Sequence, residues 1–154
     1  MLATNHVLAG AAIGHLSGNP LIAVAAGLLS HLAMDAVPHW GGNATRPLSE
    51  RTYLRVARSD GLTLLAVLAV LILLSQPADR LLVALGALSA LAPDLDKPWA
   101  YFVGDRLGDR PLYGHAFARF NGWLQTESPT LWWVELLGLV ALVTINLSLA
   151  GLIG

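Results

Sequence analysis

The residues of this chain best suited to chemistry are His31, Asp35 and His39, in the stretch HLAMDAVPH. On a helix, His31 and Asp35 stand one turn apart on the same face, and Pro38 ends the helix so that His39 can fold back toward them. Imidazole and carboxylate at that spacing suit a divalent metal such as zinc. A second acidic motif, Asp94-Leu95-Asp96, follows Pro93. Its alternate spacing sends two carboxylates from one extended stretch toward a common point. Acids are poorly placed at a helix C-terminus, which favours an offsetting cation there. The chain has no cysteine, so a metal must take histidine, carboxylate and water ligands.

Each candidate has an ordinary reading beside the chemical one. The first cluster could be a polar helix end, and the two aspartates a solvated C-terminal turn. Asp60 stands where it could cap a helix or take part in catalysis. His6 lies beside Thr4 and Asn5, either of which could cap the first helix. His115, in YGHAFARFN, could be a ligand, a proton donor or a loop residue. His15 is expected at the opposite surface, about 13 Å further along the helix than His6 and on its other side.

The elements that must position these groups are apolar. Of 154 residues, 55% are hydrophobic and 12% charged, and the mean hydropathy is +0.61. A soluble domain carries about a quarter charged residues, so this composition points to a membrane. The net charge of −1 offers no basic surface for nucleic acid. The opening MLATNHVLAG lacks the positive start of a signal peptide and is expected to belong to the mature chain.

Turn signals divide the chain into apolar segments at about 6–16, 20–37, 60–75, 78–92 and 131–153. The fold class expected is all-α: a single polytopic membrane domain over residues 1–154 with about five apolar helices. Only the last segment has the roughly 20 residues that a span needs, and the first two could form a re-entrant hairpin. Trp132-Trp133 reads as an interfacial anchor.

Up-and-down threading of these helices places His6, His31, Asp35, His39, Asp60, Asp94 and Asp96 at one membrane face, with His115 in the loop that follows. Nothing in the threading is chosen to bring this about. The loop at about 38–59 contains Arg46, Arg51, Arg55 and Arg58, and the loop at about 93–130 contains Lys97, Arg106, Arg110 and Arg119. The other side offers only Arg80, so the positive-inside rule turns the site and the N-terminus toward the cytoplasm. Arg51, Arg55 and Arg58 fall at helical spacing and suit headgroup contact.

His6, then HxxxDxxPH, then PDxD after a later apolar helix, resembles the YdjM-like family of membrane-bound metal-dependent hydrolases, especially its small bacterial members with an MLATxH leader. The likeness covers roughly residues 1–98, helices 1 to 4 of the threading. It implies a bacterial inner-membrane protein, and it maps His6, His31, Asp35, His39, Asp94 and Asp96 onto metal-ligand positions, by a loose similarity of the family to zinc-dependent phospholipase C. Larger members carry an HRGxTHS-like stretch after PDxD, where this chain has Tyr113-Gly114-His115-Ala116-Phe117.

The leading expectation is therefore metal-assisted hydrolysis of a phosphoester in a lipid or lipid-linked substrate at the cytoplasmic surface. One or two Zn²⁺ ions would lower the pKa of water to about 7. His115 would protonate the leaving group, and Asp60 would ligate or orient a histidine. The expected partners are membrane lipids, with a homo-oligomer open. The rival expectation is a non-catalytic membrane scaffold whose cluster binds a structural metal or pairs internally. A transporter ranks below both, because the polar residues gather at one surface instead of at mid-membrane depth.

Overall fold

The computed structural model describes residues 1–42, 45, 47–103 and 111–153. Arg46, Arg106 and Arg110, which enter the charge argument for orientation, lie outside the described residues. Among the described residues the fold is all-α apart from one very small sheet. Its helices are α1 (Ala3–Ser17), α2 (Pro20–Ala36), α3 (Glu50–Leu74), α4 (Arg80–Leu91), α5 (Asp96–Phe102), α6 (Gly114–Leu124) and α7 (Trp132–Leu149). A 3₁₀ turn, Ala92–Leu95, joins α4 to α5. The strands β1 (His39–Trp40) and β2 (Glu127–Ser128) pair in parallel, His39 opposite Glu127 and Trp40 opposite Ser128.

Local chemistry explains several boundaries. Gly18 leaves α1 with φ +57°, and Asn19 caps α2 by accepting from the backbone N–H groups of Leu21 and Ile22, with Pro20 in the first turn. The helix expected at about 60–75 begins at Glu50 instead. Ser49 accepts from the Thr52 N–H and starts it early. No glycine or proline then interrupts the arginine-bearing stretch before Gly61, so the amphipathic and apolar portions form one rod.

α1 is the centre of the molecule. It packs on α2, α3, α4 and α7, and Val7, Leu8 and Ala11 form the core with Leu64, Leu71, Val83 and Ala87. Gly10 of α1 and Gly86 of α4 let those two backbones touch: a Cβ on either glycine would overlap the other's carbonyl oxygen. Such small-residue seams let helices approach where packing, not water, drives association.

Two helices, α3 and α7, are long and apolar enough to cross a membrane. Their outer faces expose Leu62, Leu65, Val70, Leu73, Leu137 and Val140. α1, with 15 residues, is about 22 Å long and α2, with 17, about 25 Å, both short of a bilayer's roughly 30 Å core.

Candidate metal centre

The start of α1, the end of α2 and the turn after α4 meet at one end of the bundle. They bring His6, His31, Asp35, His39 and Asp94 together, and the first four are wholly buried at 0% exposure. Asp35 is the hub. Its Oδ1 accepts from the Met1 amino group at 2.8 Å and lies 3.1 Å from His6 Nε2. Its Oδ2 lies 3.3 Å from His31 Nε2 and accepts from Gln125 Nε2 at 3.0 Å. His6 and His31 stack with ring centroids 4.0 Å apart. Asp94 Oδ2 stands 4.0 Å from His6 Nε2, while its Oδ1 pairs with Lys97 Nζ at 2.7 Å.

The histidine tautomers follow from the partners. His31 Nδ1 is 2.8 Å from the Ala90 carbonyl oxygen, and His39 Nδ1 is 2.8 Å from that of Val37. A carbonyl only accepts, so both Nδ1 atoms must carry the hydrogen and donate it. In the neutral ring this leaves Nε2 as a bare lone pair. Both Nε2 atoms are buried without a hydrogen-bond partner among the described residues, and both face carboxylate oxygens. Lone pairs set against carboxylates in a dry interior repel unless a cation sits among them: the Met1 ammonium already stands at Asp35 Oδ1, and a proton on a ring or a metal ion is the further choice. Orientation of a ligand histidine by its other nitrogen is the usual arrangement around metals.

The spacings bear on the choice. Zinc bonds of about 2.0–2.2 Å hold neighbouring ligand atoms about 3.3–3.5 Å apart in a tetrahedron. The 3.3 Å separation of His31 Nε2 from Asp35 Oδ2 matches that edge, while the 4.0 Å of His6 Nε2 from Asp94 Oδ2 is longer and would have to close around an ion. His6, His31 and Asp94 each offer a ligand atom, all within 4.8 Å of one another, so this buried group can hold a metal ion.

Asp94 and Lys97 set each other's charge. Burial favours the neutral acid, yet the Lys97 ammonium and the His6 and His31 rings outweigh it and hold the Asp94 carboxyl below its ordinary range. Desolvation likewise opposes charge on Lys97, and the Asp94 carboxylate overcomes it, so the ammonium titrates above the usual lysine range. The fixed ion pair occupies Oδ1 and turns Oδ2 toward His6.

The other sequence candidates lie elsewhere. Asp60, from within α3, accepts from the backbone N–H groups of Ala3 at 2.8 Å and Thr4 at 3.2 Å and from the Thr4 hydroxyl at 2.5 Å. It caps α1, not its own helix. Asp96, at the start of α5, accepts from the Leu112 N–H just ahead of α6. His115 is exposed in the first turn of α6, with no hydrogen bond or ion pair to the cluster among the described residues. His15 is at the far end of α1, where its Nε2 is 3.1 Å from Ser75 Oγ and its Nδ1 3.9 Å from Asp79 Oδ2. The Ser75 hydroxyl donates to the Leu71 carbonyl at 2.6 Å, so it accepts from His15 and is no nucleophile.

Four groups at the centre escape the sequence reading: the Met1 amino group and Gln125 on Asp35, Glu127 beside His39, and Lys97 on Asp94. Lys97 follows the aspartate motif directly, which is a usable signal. The contact from Gln125 to Asp35 spans 90 positions and has none. Compared with known proteins, the chain matches no family model, no curated protein and no solved structure.

Proposed function

We propose that this chain is a small polytopic membrane protein of the YdjM-like type, and that its buried centre holds a divalent cation, zinc foremost, for hydrolysis of a phosphoester in a lipid or lipid-linked substrate. The observation that carries the reading is the pair of bare, buried Nε2 atoms on His31 and His39, each aimed at carboxylates by a backbone hydrogen bond on the opposite nitrogen. Histidine and carboxylate without thiolate suit zinc and similar hydrolytic metals.

In this reading His6, His31 and Asp94 hold the ion, and Asp35 organises the histidines around it. A bound divalent cation supplies Lewis-acid activation of water and of a phosphoryl oxygen. The chain's own groups do the rest. Packing of α1, α2 and α4 excludes bulk water from the cluster, and Lys97, 39% exposed, marks the side on which the centre approaches solvent. An ammonium at that opening suits an anionic phosphate, which it would draw in and orient. The exposed apolar faces of α3 and α7, with Trp132 and Trp133 at the start of α7, support a membrane setting that brings headgroups to the centre. The loop charges that are described support a cytoplasmic orientation of this end in an inner membrane.

Metal content by elemental analysis of the detergent-purified protein tests the reading, beside His31→Ala and Asp94→Ala. The expected result is bound zinc that falls by about one equivalent in each variant, with phosphoesterase activity lost in both. Absence of metal after zinc resupply would end the hydrolase reading. A non-catalytic scaffold would then stand, favoured by internal pairing: the Met1 amino group, His6 and Gln125 all on Asp35, and Lys97 on Asp94.

A further inference from the structure

α3 and α7 each pack against α1 but make little contact with each other, which leaves a cleft of about 300 Å³ between them at the start of α1. Ser59, Asp60 and Thr63 line it from α3, and Glu135, Leu136 and Leu139 from α7, each set one helical turn long. Thr4 and Asn5 line it from α1, and the exposed Trp132 stands at its edge. Trp132 opens α7, and Asp60 is the last charged residue of α3. The cleft therefore lies at the level where headgroups would meet hydrocarbon.

The hydrogen bonds around this cleft leave it short of donors. The Thr4 hydroxyl donates to Asp60 Oδ1, the Ser59 hydroxyl to the Val56 carbonyl at 3.0 Å, and the Thr63 hydroxyl to the Ser59 carbonyl at 2.9 Å. The Asn5 amide donates to the Glu135 carbonyl at 3.1 Å and to Glu135 Oε2 at 2.8 Å. Apart from the Trp132 indole, every side-chain donor among the described residues of the lining is thus engaged within the protein. Acceptors are left over. Glu135 Oε1 and Asn5 Oδ1 are buried without a hydrogen-bond partner among the described residues, on residues 5% and 1% exposed. Such acceptors cost free energy unless a donor reaches them. Asp60 and Glu135 also bring two carboxylates to the cleft, and no Lys, Arg or His is among the described residues that line it.

We infer that this cleft binds the ammonium headgroup of an aminophospholipid, with Glu135 as the group that receives it. An ammonium supplies the two things the walls lack, positive charge and N–H donors. Leu136 and Leu139 give the same lipid an apolar wall beyond its headgroup. A choline headgroup has the charge but no N–H, and a glycerol headgroup has donors but no positive charge. The inference rests on the membrane setting proposed above and needs no metal.

The test is native mass spectrometry of the full chain released from nanodiscs of equal parts phosphatidylethanolamine, phosphatidylcholine and phosphatidylglycerol. Wild type should retain one phosphatidylethanolamine with a preference of about tenfold, the equivalent of one charge-assisted hydrogen bond. Glu135→Gln should abolish the preference: its amide oxygen can keep the bonds from Leu2 and Asn5, while its N–H₂ puts a donor where the free acceptor stood. Thr63→Phe, on the opposite wall, should abolish it by filling the space. Circular dichroism confirms that each variant is folded. Equal retention of the three lipids by wild type, or a preference for either of the other two, would overturn the inference. So would a preference that survives in either folded variant. A chain that enters no nanodisc would overturn it together with the membrane setting, a failure distinguishable from the others.

Discussion

Lys97 shows how much of this centre depends on groups that touch no cation. It holds Asp94 Oδ1 at 2.7 Å and so leaves Oδ2 to face His6. Removal of a partner that orients a ligand costs 10- to 100-fold in metal affinity, so Lys97→Met should weaken zinc binding by about that factor. Competition against a chromophoric chelator measures it, and unchanged affinity would show that Asp94 needs no support. At this scale the sequence is legible wherever geometry is local. His31 and Asp35 read as a pair because helical periodicity fixes one turn, and the Pro38 stop explains why His39 returns. Gln125 and Glu127 do not read at all, because two strands of two residues decide their position and such strands carry no hydrophobic alternation.

Helices, not loops, place most of the ligands. α1 and α4 meet at Gly10 and Gly86, and this contact sets how close His6 comes to the turn that contains Asp94. Gly86→Ala should therefore destabilise the fold by at least the roughly 1–3 kcal/mol of an overpacked core. Thermal denaturation in detergent would show it, and an unchanged midpoint would mean that the helices can separate without loss. The apolar segments were legible as helices from run length and turn residues. The first ten residues of α3 are harder to place, because their charged groups fit a loop as well as a short surface helix. Ser49 as a cap, with no breaker before Gly61, makes them helix. Asp60 was misleading for a related reason: a local cap and a cap for another helix look the same in sequence. The 57 positions between Asp60 and Ala3 are closed only by the fold.

For the molecule as a whole, burial and exposure are inverted relative to a soluble domain. The polar cluster is inside at one end, and large apolar side chains from α2, α3 and α7 face outward. Composition made that inversion readable, since so few charged residues cannot cover a water-facing surface. The two long helices also both hold the start of α1. Asp60 of α3 takes the N–H groups of Ala3 and Thr4, and Glu135 of α7 takes that of Leu2 and the Asn5 amide. His6 is the next residue along. If α3 and α7 cross a membrane as proposed, biogenesis acquires an order: they would be seated in lipid before α1 has its anchors, and only then would His6 meet Asp35. Cell-free synthesis should yield zinc-loaded chain when liposomes are present during translation and metal-free chain without them. Equal loading in both would separate metallation from insertion. On the proposed reading, the chain would be protected from taking up metal before insertion, because the half of the site on α1 would not exist until the membrane had assembled it.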